Sequence, residues 1–251
     1  MNRTGRIVIG GVVVAVVAVA AVFLYTFFVG GSGEPSTDIS QVVSTIAPTA
    51  QPTVEPEGEG ASGAESEAAS AAAAAVFNIV PEESQARFII DEILNNNPFT
   101  VVGVTNQIGG QLLVDFADPS KTQIGEIVVN VRTLATDNRN RDQAVRGFIL
   151  NTSQYEFSRF MPTALNGLPE AVTVGEPLTF TIDGDLTVIN TTTPVTFEAS
   201  VTPVSETRIE GLATLIINYA DLGVNIPRLP PQVASVDEEI RLELDFVAVA
   251  G

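Results

Sequence analysis

Leu178, Thr179, Phe180, Thr181, Ile182, Asp183, Gly184, Asp185, Leu186, Thr187 and Val188 read LTFTIDGDLTV, with apolar or small side chains at every second position. Successive side chains of an extended strand point to opposite faces, so this stretch has one dry face and one wet face. Such a strand belongs in an antiparallel sheet wrapped around its own interior. The same period recurs on both sides of it. Ile240, Leu242, Leu244 and Phe246 alternate with Arg241, Glu243 and Asp245. Ile127, Val129 and Val131 alternate with Glu126, Asn130 and Arg132, with Val128 as the exception. Ala86, Phe88 and Ile90 repeat the pattern, as do Leu112, Val114 and Phe116. Residues 100–105, 156–160, 194–201 and 208–219 supply further strands.

One segment breaks the alternation. Thr136, Asp137 and Asn138 form an N-cap signal ahead of a helix over residues 139–149, whose Ala144, Val145, Phe148 and Ile149 share one face. The predicted fold is mainly β: an antiparallel lipocalin-like β-barrel of about eight strands with one short helix lying against or plugging it.

The N-terminal third has a different character. Residues 7–29 carry no charge, and Arg3 and Arg6 stand just ahead of them. As a helix rising about 1.5 Å per residue they span roughly 34 Å, enough for a bilayer core of about 30 Å. The arginines favour a cytoplasmic N-terminus with everything downstream outside the cytoplasm. The rival reading is a signal peptide cleaved near Gly30, Gly31 and Ser32, although the apolar core is long for that role. Residues 1–29 are thus expected to be a single-pass anchor of the cell membrane (or signal peptide). Residues 30–75, with seven acids and no Lys or Arg among Pro, Ser, Thr, Gly and Ala, are expected to be a disordered linker. Residues 76–251 form the barrel domain.

Composition removes several function classes. The 251 residues include no His, Cys or Trp, and 12 basic residues face 30 acidic ones for a net charge of −18. Nucleophilic triads based on His, zinc sites of the usual kind and disulfides are excluded. The acidity argues against nucleic acid as a partner. No cofactor, metal or catalytic residue is expected, and any chemistry must come from carboxylates, hydroxyls or, the favoured choice, apolar surface.

Several motifs together resemble those of the YceI-like lipid/polyisoprenoid-binding family. The first is Thr136, Asp137, Asn138, Arg139, Asn140, Arg141 and Asp142, followed by Arg146 and Phe148. The second runs from Gly184 through Thr187 to Pro194 and Val195, and the third is Asn218, Asp221 and Gly223. The likeness spans nearly all of residues 77–250. It implies a barrel holding a long-chain isoprenoid or fatty lipid, in a secreted or periplasmic binding protein rather than an enzyme, which the N-terminal helix read above would hold to the membrane. The sequence departs from the family at Tyr219 (usually Arg), Leu222 (usually Phe), Asp91 and Glu92 (often a Lys-His pair), and Asn190 (a hairpin Gly). These departures bear on the head group more than on the apolar channel.

Each signal also has a plainer reading. By pattern alone the dry faces fit a filled core better than a hollow one, and the resemblance reverses that preference. Phe88, Phe148, Phe157, Phe180, Leu186 and Leu244 are the candidate lining. In the helix motif, Thr136 or Asp137 as cap, and ion pairs of Arg141 and Asp142 that fix the helix to the barrel, would be structural. Gly184, Thr187, Pro194, Asp221 and Gly223 are read the same way. Asp183 and Asp185 lie about 7 Å apart on one outward strand face, unlike carboxylates opposed across a glycosidase cleft. The alternative function is an envelope structural or interaction module with a filled core and no lipid.

Overall fold

The structure, a computed structural model, describes residues 33–46, 74–226 and 231–251. The expected anchor, residues 1–29, lies outside the described residues, and so does most of the linker. Among the described residues no helix is long and apolar enough to cross a membrane.

The strands in chain order are β1 (Ala75–Ile79), β2 (Gln85–Leu94), β3 (Asn97–Thr105), β4 (Ile108–Gly109), β5 (Gln111–Val114), β6 (Gln123–Ile124) and β7 (Ile127–Asn130). The helix α1 (Arg139–Ala144) follows. The chain ends with β8 (Phe157–Asn166), β9 (Leu178–Val188), β10 (Thr191–Ser205), β11 (Arg208–Asn218), β12 (Val233–Val236) and β13 (Glu239–Ala250). All belong to one antiparallel sheet ordered β4-β7-β8-β9-β10-β11-β13-β1-β5-β6, with β2 pairing β13, β3 and β12. Strands β3, β4 and β5 are consecutive pieces of one bent run. That run pairs in turn with β2, β7 and β1, which curls the sheet round on itself. The fold is therefore mainly β and barrel-like, with one short helix among the described residues.

The stretch LTFTIDGDLTV forms β9 in full, and its register against β10 runs unbroken from Leu178↔Val201 to Val188↔Thr191. Ile182, Leu186 and Val188 are buried in the core with Val195, Phe197, Ala199 and Val201. Large rings pack over glycines in the neighbouring strand. A Cβ on Gly184 would lie 2.6 Å from the Phe160 ring, and one on Gly211 would lie 2.7 Å from the Phe246 ring. A Cβ on Gly103 would enter the Phe88 ring. In the β9–β10 turn the left-handed residue is Ile189, at φ 58°, and not Asn190. Its side chain packs against the core, which offsets the strain of a β-branched residue in that region.

Gly223 connects two of the sequence motifs. It ends the turn Tyr219–Leu222 at φ 72°, and a Cβ there would strike Thr191. One residue pair along, the Thr193 hydroxyl donates to the Asp221 carbonyl at 2.8 Å. Gly223→Ala is expected to cost about 2 kcal/mol or more, from the left-handed backbone plus the clash. Chemical denaturation should show the midpoint falling at unchanged slope.

The helix is shorter than residues 139–149. It is α-helical over Arg139–Ala144 and then widens into a π turn over Val145–Ile149, where the Leu150 amide donates to the Val145 carbonyl at 2.8 Å. Its cap is Asn138, whose Oδ1 accepts from the Asn140 amide at 2.9 Å, and not Thr136 or Asp137. Thr136 instead donates from both amide and hydroxyl to the buried Asp142, each at 2.7 Å. Asp142 is thereby committed to the preceding loop, and Arg141 pairs elsewhere.

Part of the expected linker is ordered. Residues 33–46 lie along the outer face of β4, β7 and the start of β5. Ile39 is buried, and a Cβ on Gly109 would meet Val43 and Ile39. Val128, directly opposite Gly109 in the register and so on the same face, is completely buried. The Ile46 amide donates to Gln111 Oε1 at 2.7 Å. The Ser36 amide donates to Glu156 Oε1 at 2.8 Å, and its hydroxyl donates to the same carboxylate. The packing of Ile39 and Val43 and the hydrogen-bonded Glu156 carboxylate offset the entropy of ordering these residues.

Burial opposes the charged form of Glu156, but the Ser36 hydrogen bonds, Asn130 and the Arg132 guanidinium together hold its pKa below the usual carboxylate value. Docking of this segment is thus favoured above the ordinary carboxylate range and weakens as pH falls through the lowered value. Limited proteolysis should find residues 33–46 protected near neutrality and cleaved more readily in acid.

Candidate functional site

The inner face of the curled sheet encloses a cavity of about 650 Å³, with α1 and the π turn lying across it. That is a typical volume for a site that takes one small molecule, about 300–1,000 Å³. Period two explains its lining. Phe88 on β2 stands opposite Gly103, and Leu242 and Leu244 on β13 pair with Phe88 and Ala86. Phe180 and Leu186 come from β9. Ala144, Val145, Phe148 and Ile149 complete the lining from the helix side, as their shared face predicts. Phe148 is 48% exposed, so it sits where the cavity meets solvent.

Of the six candidate lining residues, Phe88, Phe148, Phe180, Leu186 and Leu244 line this cavity and Phe157 does not. The correction follows from register. Phe160 pairs with Leu186 and with Ile127, which places it inside. Phe157 differs from Phe160 in parity and lies on the opposite face, with the Arg159 guanidinium 5.9 Å from its ring centroid. Two of the missed lining residues, Ala199 and Ala213, stand directly opposite one another on β10 and β11. Their small side chains leave space where larger ones would fill it. The alternation on those strands marks their face but not the emptiness.

Polar groups gather near α1. Glu92, only 8% exposed, accepts from Arg141 Nη2 at 2.8 Å. The other terminal nitrogen of Arg141 pairs with Asp137, and the Phe99 ring centroid lies 5.5 Å from the guanidinium carbon. Arg141 is therefore tied to Asp137 and to Glu92, and the second pair joins the helix to β2. Glu92 occupies one of the positions at which this sequence departs from the family pattern, and the structure places it at the cavity wall. Tyr219 and Leu222, two other departures, also line the cavity, together with Asn138 and Asn140.

The remaining motif residues are structural in their contacts. Gly184 makes room for Phe160, and the Thr187 hydroxyl bonds to that of Thr192 at 2.8 Å. Pro194 sits in β10 before β11 begins to pair at Glu198, so its missing amide proton costs no bond on that side. Asp183 accepts from Asn166 and Thr196, and neither it nor Asp185 lines the cavity. Among the described residues no cluster of His, Cys, Asp or Glu could hold a metal ion.

A family model described as the YceI-like domain matches residues 77–248. Two solved structures share the fold at low identity. One is a polyisoprenoid-binding domain from Saccharophagus degradans, implicated in plant cell wall breakdown. It is 13% identical with a TM-score of 0.52, covering 70% of this chain and 98% of that one. The other is BcnA from Burkholderia cenocepacia, 16% identical with a TM-score of 0.55, covering 68% of this chain and 99% of its own. No curated protein matches the chain.

Proposed function

The chain belongs to the YceI-like domain family, and from that premise we propose that it is a membrane-tethered, extracytoplasmic protein that sequesters or carries a long-chain isoprenoid or similar lipid. The curled sheet acts in this reading as a lipocalin-type barrel, with Phe88, Phe180, Leu186 and Leu244 against the chain and Phe148 at its mouth. The observation that carries the reading is the cavity of about 650 Å³ lined by the sheet's apolar face. A solved structure of the same fold is described as a polyisoprenoid-binding domain. Removing an apolar chain from water is worth about 0.8 kcal/mol per buried CH₂, so a long chain supplies ample affinity without a reactive side chain.

At the polar wall, Arg141 is balanced by Glu92 and Asp137, which favours a lipid with an uncharged head. A phosphate or carboxylate there would have to compete with the existing carboxylate partners. The uncharged residues 7–29 support the anchor, and Arg3 and Arg6 support a cytoplasmic N-terminus. The work is binding rather than catalysis.

Native mass spectrometry of the gently extracted full chain tests this. One lipid per protein, lost on organic extraction and regained from long-chain isoprenoids, is the expected result. A lipid-free protein that also refuses such chains in solution would sink the proposal.

A further inference from the structure

The docked segment 33–46 changes how the domain can sit relative to a membrane. If its tether were the whole of residues 30–75, the domain would roam over a span of roughly 35–40 Å. The contacts leave far less freedom. Gly33 lies against the Arg146 guanidinium on the π turn that crosses the cavity, and Ser36 is bonded to Glu156. Ile39 and Val43 cover Gly109, and Ile46 covers Gly125. Only residues 30–32 separate Gly33 from the apolar stretch 7–29. At no more than about 3.6 Å per residue, so short a length of chain allows a reach of at most about 15 Å from Gly33. With Ile46 docked, chain length beyond it adds nothing to the reach.

The turn beside which this chain emerges is suited to a bilayer. Phe148 is a large apolar side chain about half exposed, and Gly147 beside it has open space over its Cα. Arg139 is exposed on the adjoining helix. Two further arginines here are already balanced, Arg141 by Glu92 and Asp137 and Arg132 by Glu156.

We propose that residues 33–46 are a strap that holds the π turn, with Phe148 and Arg139, against a bilayer surface and so turns the cavity mouth toward the membrane. This orientation rests on the anchor and the lipid cargo proposed above. It gives the lipid a path from the bilayer along Phe148 into the cavity without exposure to bulk water. The strap and not the linker sets the working distance.

The chain has no cysteine, so single-site labelling is clean. Full-length protein is reconstituted into phosphatidylcholine vesicles containing phosphatidylglycerol and an acceptor lipid, with a donor dye on Phe148→Cys or on Thr207→Cys. The two positions lie at opposite ends of the sheet: the helix is tied through Arg141 to Glu92, which pairs with Val236 just before β13 begins, whereas Arg208 pairs with Val249 near the end of β13. Dye at 148 is expected to be quenched much more than dye at 207. The I39D/V43D strap variant should lower quenching at 148. Inserting about twenty Gly and Ser residues between Val29 and Gly30, which leaves the strap intact, adds about 25 Å of reach and should lower it about twofold. Equal quenching at the two positions, or no change on insertion, overturns the orientation while the anchor and cargo stand. A chain that does not float with the vesicles overturns it together with the anchor. Lipid recovery from the extracted chain tests the cargo separately.

Discussion

Replacing Ala213 by Phe is expected to leave the domain folded while weakening its hold on lipid about tenfold or more. Ala213 is buried, lines the cavity and stands opposite Ala199, also buried and lining. A benzyl group added there projects into space that a lipid chain would fill. In a hollow barrel the ring buries apolar surface at little steric cost, so stability should hold or rise slightly. In a filled core the same ring overpacks, costing about 1–3 kcal/mol. For a domain of this size each kcal/mol lowers the melting temperature by about 2–4 °C. One variant therefore separates the carrier from the structural module through two readings, bound lipid by mass spectrometry and thermal unfolding by circular dichroism. Lost lipid at unchanged stability supports the carrier. Retained lipid, or a melting temperature several degrees lower, counts against it.

Arg141→Leu is expected to be the most destabilising polar substitution, at about 3 kcal/mol. It strands the Glu92 carboxylate, 7% exposed by side chain, without its guanidinium partner. Asp137 loses a partner too, but it is exposed and contributes little. The double variant E92L/R141L should recover most of the loss, because two well-packed apolar side chains replace a buried ion pair at small net cost. A double-mutant cycle by urea denaturation measures the coupling. If R141L and E92L/R141L are equally unstable, the loss comes from helix packing and not from the stranded charge. The double variant should also retain lipid, since an apolar wall remains around the chain.

Most of the sheet was legible because its signal is local. The dry face of Leu178 to Val188 requires only that the backbone be extended, and β9 follows it residue for residue. The face shared by Ala144, Val145, Phe148 and Ile149 also survives, although the helix widens into a π turn within it. Two errors have identifiable causes. Phe157 and Phe160 are aromatics of opposite parity on one strand, and only pairing with Ile127 and Leu186 decides which points inward. The strap was absorbed into its acidic surroundings although Ile39, Val42, Val43 and Ile46 sit at helix-like spacing. Val128, the one residue that broke the alternation of its strand, was the matching half of that signal. An apolar side chain on a wet face needs a cover, and Ile39 with Val43 supplies it.

The sequence by itself determined which residues face inward along the long strands, where the helix begins, which chemistries are absent and which family pattern the domain follows. These rest on dihedral preferences, period and composition, all readable within a few residues. Only the tertiary structure decided that the inner face of the sheet lines a cavity, that Arg141 is held by Glu92, and that residues 33–46 pack on the domain. Each depends on distances between residues far apart in the chain: Ala199 with Ala213, Glu92 with Arg141, Ser36 with Glu156. Strand period specifies a face, whereas the width of the space behind that face is set by how the whole sheet curls.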